Sequence, residues 1–416
     1  MAPEPAHLVE DLFRREYARV VSGLVRGFGA QHLVLVEDCV QEALMRALHA
    51  WPRDGVPDRP GAWITRVARN GALDRLRHRA IGERVTQGQT AEAGAATEAP
   101  AEVALEGDVP DDELRMLFVC CDPRLAPETQ LVLALKILCG FGVNEIALRL
   151  FATEAAVRKR LGRGRAQLRD DALDMECALH GLRERLPGVL RVVYLLFNEG
   201  YASSRPTAPI RRELCDEAIR LGQGLTAHPV ADGASWALLA LMHFHRARLD
   251  TRHGPDGGLL LMADQDRSSW DPDHVRQGIA ALMRAGDGSE PTPFHIEAVI
   301  ALEHCRAPTY AETAWADIVA LYEVLERLRP SPVYTLNRAV ALAELSGPEA
   351  GLALLEALTP PAWLLRYYLW DAVLGDLHRR AGHRERAAHH LALARESAPT
   401  EAEQRLLDAR LAALGD

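Results

Sequence analysis

Three groups of side chains in this sequence have types and spacings that could do chemistry. Trp63, Arg66, Asn70, Asp74 and Arg77 recur at steps of three and four, so on a helix they share one face, flanked by Arg69, Arg75 and Arg79. An indole can stack on or wedge a base step, an amide can read a base edge, and guanidinium groups hold phosphate; this set suits single-stranded DNA. The pattern alone equally allows a core tryptophan beside a solvated basic face. The second group lies between Asn144 and Arg169, where Arg149, Arg158, Lys159, Arg160, Arg163, Arg165 and Arg169 meet only two acids, Glu145 and Glu154. Such a charge excess is what docking on duplex DNA needs. The third group is Asp38, Gln41, Glu42 and Met45, one stripe of an amphipathic helix, which fits a solvated face or a protein contact.

Signatures of bond-making chemistry are missing. Gly162-Arg163-Gly164 lacks the third glycine of a phosphate loop and follows no strand. There is no H-E-x-x-H or G-x-S-x-G, and His243 and His245 are two apart, so on a helix they point in different directions. No enzymatic activity, no cofactor and no metal site is expected.

The elements that must carry these residues are helices. Leu33, Val36, Val40, Leu44, Leu48 and Trp51 form the apolar stripe of the helix bearing Asp38, which the spacing ends at Pro52. A second helix runs from about Ala62 to Arg79, with Ile64, Val67, Ala68, Ala72 and Leu76 inward. Further on, Pro127 opens a helix that stops near Gly140; a short one spans about Asn144 to Leu150; and Thr153 caps another through about Arg169. Ile146, Ala147, Leu150, Val157 and Leu161 have helix-turn-helix spacing, a common pattern on its own.

Size and composition set the frame. The 416 residues are too many for one ordinary core, and Ala, Leu and Arg dominate while aromatics are 6%, so two or three mostly helical domains are expected. The net charge of -10 argues against a free-standing DNA binder. The segment from Gly82 to Pro110 is low in complexity and acidic, and reads as a flexible linker. Such a coil has a root-mean-square span of about 30 Å and stretches to roughly 90–100 Å, enough to bridge DNA sites about 50 Å apart. No apolar run spans a membrane, and the first residues lack a secretory signal's basic and apolar regions. The seven cysteines, odd in number and without a C-x-x-C pair, read as reduced core thiols of a cytoplasmic protein.

With these residues in view, VEDCVQEALMRALHAWP and PGAWITRVARNGALDRLRHR resemble region 2 of sigma-70 factors of the extracytoplasmic-function group, and residues 144–169 resemble region 4. The resemblance implies that Asp38, Gln41 and Glu42 contact the β′ clamp helices of core RNA polymerase, and that the β flap is also a partner. It implies that Trp63, Arg66, Asn70 and Arg77 hold the melted -10 strand of promoter DNA. It implies -35 reading by Thr153, Glu154, Ala155, Arg158 and Lys159, with Arg160 and Arg163 towards phosphate. Phe151 stands where the family usually has glycine in the turn. Two aromatics, Trp51 and Trp63, are few for strand opening, which implies weak melting and stringent promoter choice.

The expected organisation is therefore all-α. Region 2 takes residues 7–80, the linker 81–110, region 4 residues 111–172, and a helical extension residues 175–416. In that extension Leu374, Gly375, Gly382, Ala387, Leu391, Ala394 and Pro399 have the spacing of a tetratricopeptide pair, with a weaker pair from Tyr334 to Leu358, so repeats are expected over about 330–416. FNEGY, with Asn198, Glu199 and Tyr201, and DQDRSSW, with Asp264, Asp266, Arg267 and Trp270, stand outside the repeat pattern. Both resemble signatures of a sigma subgroup with such an extension. They fit a structural junction with buried ion pairs, or a site for a regulatory protein or ligand. A pocket joining Glu199, Asp264 and Asp266 would instead favour an enzyme. A helical-repeat scaffold with a degenerate sigma-like half is the alternative for the whole chain.

Overall fold

The computed structural model describes residues 5–86, 111–150, 152–170, 179–203, 208, 210–254, 258–286 and 290–414; the side chains of 5–15, 80, 82–86, 170, 179 and 180 are not described. Among these residues there are eighteen α-helices and no strand, so the fold is all-α. The chain divides into two compact units, residues 1–192 with 228–230, and residues 193–227 with 231–416.

In the first unit α1 (Pro5–Phe28), α2 (Leu33–Asp54) and α3 (Pro60–Thr86) pack together. Their core is built from Val21, Val25, Val36, Val40, Ala43, Ile64 and Ala72, all at or near zero exposure. The small residues let the helices approach: a side-chain carbon at Gly71 of α3 would already touch the Cys39 thiol of α2. Then follow α4 (Asp112–Cys120), α5 (Pro127–Ile137), α6 (Val143–Arg149) and α7 (Glu154–Asp170). Asp111 caps α4 by accepting from the Leu114 N–H at 2.9 Å, and Pro127 occupies the first turn of α5, where its missing N–H costs nothing. The first half of α8 (Leu179–Tyr201) is held to this unit by Arg185, which donates to Asp122 at 2.8 Å and to the Phe118 carbonyl at 3.0 Å.

The second unit holds α9 (Arg212–Thr226), α10 (Gly233–Ala247), α11 (Pro272–Ala285), α12 (Pro293–Arg306), α13 (Trp315–Leu328), α14 (Pro332–Ser346), α15 (Pro348–Glu356), α16 (Tyr368–Arg380), α17 (Arg384–Ser397) and α18 (Glu401–Ala412). Successive helices pair, with α10 on α11, α13 on α14, α14 on α15 and α16 on α17. The turn between α14 and α15 is made by Gly347 at φ 92°, and that after α16 includes Gly382 at φ 80°, conformations that glycine adopts without penalty. Leu374, Ala387, Leu391 and Ala394 are buried, and a side-chain carbon at Gly375 would lie 2.8 Å from Leu391, so the small residue sets the crossing of α16 and α17.

Several expectations need correction. α2 passes through Pro52 and ends at Gly55, where φ is 85°; a proline in the last turn removes only one N–H, and the glycine makes the stop. Leu48 is 43% exposed and Ala47 takes its place inside. α3 extends seven residues past Arg79 to Thr86, so residues 81–86 are helix rather than linker; no proline interrupts them. The remainder of the acidic segment (87–110), Phe151 and Cys177 lie outside the described residues. The other six cysteines are unbonded, five buried and Cys305 half-buried, and burial pushes the Cys121 and Cys215 thiols up to about 12.

Candidate nucleic-acid interface

α2 presents Asp38, Gln41, Glu42 and Met45 outward, opposite its buried Val36, Val40 and Ala43. Glu42 accepts a hydrogen bond from Arg75 of α3, and both side chains remain substantially exposed, so the pair can exchange for another partner at small cost. On α3, Arg66, Asn70, Asp74 and Arg77 are exposed and Trp63 is half-buried. Trp63 leans on Trp51 edge-to-face, with ring centroids 5.7 Å apart. Trp51 is 8% exposed, a core residue and not the strand-opening aromatic the sequence suggested. This leaves Trp63 as the partly accessible indole of the pair, backed by a buried one.

α7 is capped as its sequence requires: the Ala156 N–H donates to Thr153 Oγ1 at 3.2 Å. Glu154, Ala155, Arg158, Lys159 and Arg163 are exposed and Arg160 half-exposed, while Val157, Leu161 and Leu168 face inward. Gly164 lets α7 cross α5; a side-chain carbon there would sit 2.5 Å from Leu133 Cδ1. Glu154 and Arg158 pair at 2.7 Å along the exposed face.

One of the basic residues of α7 is used differently. Arg165 donates to Glu37 Oε1 of α2 at 2.8 Å, and the Tyr17 hydroxyl of α1 donates to the same oxygen at 3.1 Å. Glu37 is 2% exposed, and burial beside it, with its charge, raises the Tyr17 phenol well above the usual range. Arg26 of α1 pairs with Asp112 of α4 at 3.0 Å. The sequence reading counted Arg165 with the DNA-facing charges; only its partner 128 residues earlier in the chain reveals its role.

In the second unit the two signature segments make the following contacts. Glu199 is fully buried, accepts from Ser203 Oγ at 3.0 Å and lies 3.7 Å from Arg211. Gly200 is required because a side-chain carbon would come within 2.6 Å of the Cys215 backbone nitrogen. Tyr201 is half-buried, with the Arg252 guanidinium 3.9 Å over its ring, and Asn198 is half-buried as well. Arg267 donates to the carbonyls of His304 and Ala307 at 2.7 and 3.0 Å, and stacks 5.1 Å from the buried Trp270. Asp266 caps the following turn, accepting from Ser268 and Ser269, which holds its carboxyl below the usual range. Asp264 and Asp266 are exposed, whereas Glu199 is buried against Arg211. Among the described residues, no group of three or more His, Cys, Asp or Glu could hold a metal ion, and no helix is long and apolar enough to cross a membrane.

Residues 13–81, which cover α2 and most of α1 and α3, match Sigma-70 region 2. A probable RNA polymerase sigma factor, RfaY, from Xanthomonas campestris is 30% identical over 172 residues, 38% of this chain and 41% of that protein. The sigma-factor likeness thus lies in the first part of the chain, and the chain spans less than half the length of that relative. An uncharacterized protein, R00370, from Rhizobium meliloti is 36% identical over 366 residues, 88% of this chain and 86% of its own length, so the chain belongs to one family with that protein. Residues 185–286 match a family of unknown function, DUF6596, which takes in both the FNEGY and DQDRSSW segments. No solved structure matches.

Proposed function

We propose that this protein is an alternative sigma factor of the extracytoplasmic-function type, with region 2 at residues 7–80, region 4 at 111–172 and a regulatory, tetratricopeptide-like helical extension beyond 175. It binds core RNA polymerase through Asp38, Gln41 and Glu42 of α2 and through region 4 at the β flap. It captures the -10 strand at Trp63, Arg66, Asn70 and Arg77. It reads the -35 element with Thr153, Glu154, Ala155, Arg158 and Lys159, and holds phosphate with Arg160 and Arg163. It acts in the cytoplasm, and performs no bond chemistry itself, since nucleotide addition belongs to the polymerase. The observation that carries this reading is the α3 face: an exposed Arg66, Asn70 and Arg77 beside a half-exposed indole, inside the segment that matches Sigma-70 region 2. With Trp51 buried, Trp63 is the accessible aromatic of the pair, which supports weak melting and stringent promoter choice.

The test is run-off transcription with core polymerase and this protein on a promoter library. Selective initiation that is lost on Asn70→Ala and Arg158→Ala is expected; initiation from fragments with a poor -10 match would refute stringent choice, and failure to bind core would refute the sigma reading. For regulation by the extension, a truncation after residue 192 is the suitable variant, because one at 180 would also remove Arg185 from Asp122. Unchanged promoter output from that truncation in cells would refute regulation.

A further inference from the structure

In the second unit a cavity of about 410 Å³ opens among α10, α12, α13 and α14, within the size range of small-ligand sites, roughly 300–1,000 Å³. Its walls are aromatic, with Phe244, Trp315 and Tyr322 among them. Aromatic walls alone would describe loose packing, but two charged groups also line it. Glu297 of α12 accepts from the Tyr194 hydroxyl at 2.9 Å and from the Tyr334 hydroxyl at 2.6 Å. A carboxylate has about four acceptor positions, so two remain for a further donor. Burial raises the Glu297 carboxyl, and the two tyrosines oppose that rise.

The other group is Arg248, at the end of α10. Its Nε has no hydrogen-bond partner, and its guanidinium meets no carboxylate and no acceptor among the described residues. A single aromatic contact is present, the Tyr201 ring at 5.4 Å. An arginine set in a wall without an acceptor is costly, and a protein keeps one where an anion from outside completes it. His304 lies beside it, lowered to about 3 by burial and by the nearby Arg248 and Arg267 charges, so it is neutral and offers one N–H without competing for the anion. His304 is also on α12, seven residues after Glu297, which is two helical turns or roughly 10 Å along the same face. The cavity thus has a positive pole at Arg248 and an acceptor pole at Glu297, with aromatic rings lining it.

We propose that this cavity binds a small aromatic acid, its carboxylate on Arg248, its ring against Trp315 and Tyr322, and a hydroxyl donated to Glu297. The site stands whether or not the chain starts transcription, because every group in it belongs to the second unit.

The test is calorimetric titration of the full chain with 4-hydroxyphenylacetate and 4-hydroxybenzoate, and with their neutral amides. At least one acid should bind, its amide at least tenfold more weakly. Arg248→Met should erase that preference, and Glu297→Gln should weaken the hydroxylated acid relative to the same acid without its hydroxyl. Hydrogen exchange on the unmodified chain provides a measurement independent of the variants: the acid should slow exchange around Arg248, His304 and Trp315. If neither acid binds at millimolar concentration, or if binding ignores both substitutions while circular dichroism shows folded variants, the proposal is wrong. Binding without any change in run-off transcription would leave the site standing and remove its link to promoter control.

Discussion

In the first unit Arg66, Arg69, Lys159, Arg160 and Arg163 stand on helix faces with no side-chain partner among the described residues. In the second unit the arginines that are not exposed are tied: Arg211 to Glu199 and Glu213, Arg246 to Asp216, Arg267 to three acceptors, Arg338 to Glu326, Arg380 to Glu344. Untied surface arginine costs little because water solvates it, and it remains available to phosphate; tied arginine holds elements together and is unavailable. Two arginines stand out against their neighbours. Arg165 is tied where Lys159, Arg160 and Arg163 of α7 have no side-chain partner among the described residues, and Arg248 is untied where Arg246 and Arg252 are bound. Each departure marks a second purpose, a helix contact in one case and a ligand pole in the other.

The contrast can be broken at several points. Arg211→Met removes a guanidinium from the fully buried Glu199, and a loss of about 3–5 kcal/mol is expected in denaturant unfolding. A loss under 1 kcal/mol would mean that the tied arginines of this unit are not holding it. Arg165→Met should cost about 2 kcal/mol, less because its side chain is 29% exposed, and the charge-neutral Glu37→Gln in the same background should recover part of it. No recovery would dissociate the two residues.

Acid sharpens the picture of the second unit. His304 is lowered to about 3 and His243 to about 4, mainly by burial, from an unfolded value near 6.5. Protons therefore bind the unfolded chain first, so this stability is complete above pH 6.5 and is lost as pH falls towards 4 and 3. Between pH 7 and pH 6 the loss is about 0.7 kcal/mol per histidine. Thermal melts should show it, and His304→Asn should flatten the slope. The smallest stability effect belongs to the free set: Arg163→Ala should shift unfolding by less than about 0.5 kcal/mol. The same change should weaken promoter binding uniformly and reduce the salt slope by about 1. A stability change without a change in salt slope would move Arg163 into the tied class.

What the sequence made legible was local. The Thr153 cap, the apolar face of α7, the glycine turn at Gly382 and the small residues of α16 and α17 all depend on neighbours within one or two turns, where periodicity and capping rules apply. The outward stripes of α2 and α3 were legible for the same reason. What stayed hidden depended on distant partners. Trp51 was read as an accessible aromatic because nothing nearby in sequence shows what covers it. Leu48 and Ala47 exchanged places because the helices pack closely enough that alanine is the better fit. Arg165 was counted with the DNA charges because Glu37 is 128 residues away. The cavity could not be seen at all, since Tyr194, Arg248, Glu297 and Tyr334 come from four separate helices or helix ends.

The contact among Tyr17, Glu37 and Arg165 has a consequence for descent. Glu37 is buried, so a lineage that lost Arg165 would keep a carboxylate without its cation, and one that lost Glu37 would leave Arg165 and the Tyr17 hydroxyl without their shared acceptor. Single steps away from the triplet are therefore penalised, while a joint change to apolar residues is not. Across relatives, these three positions should be inherited together or replaced together, whereas Lys159, Arg160 and Arg163 of α7, which have no side-chain partner among the described residues, carry no such coupling.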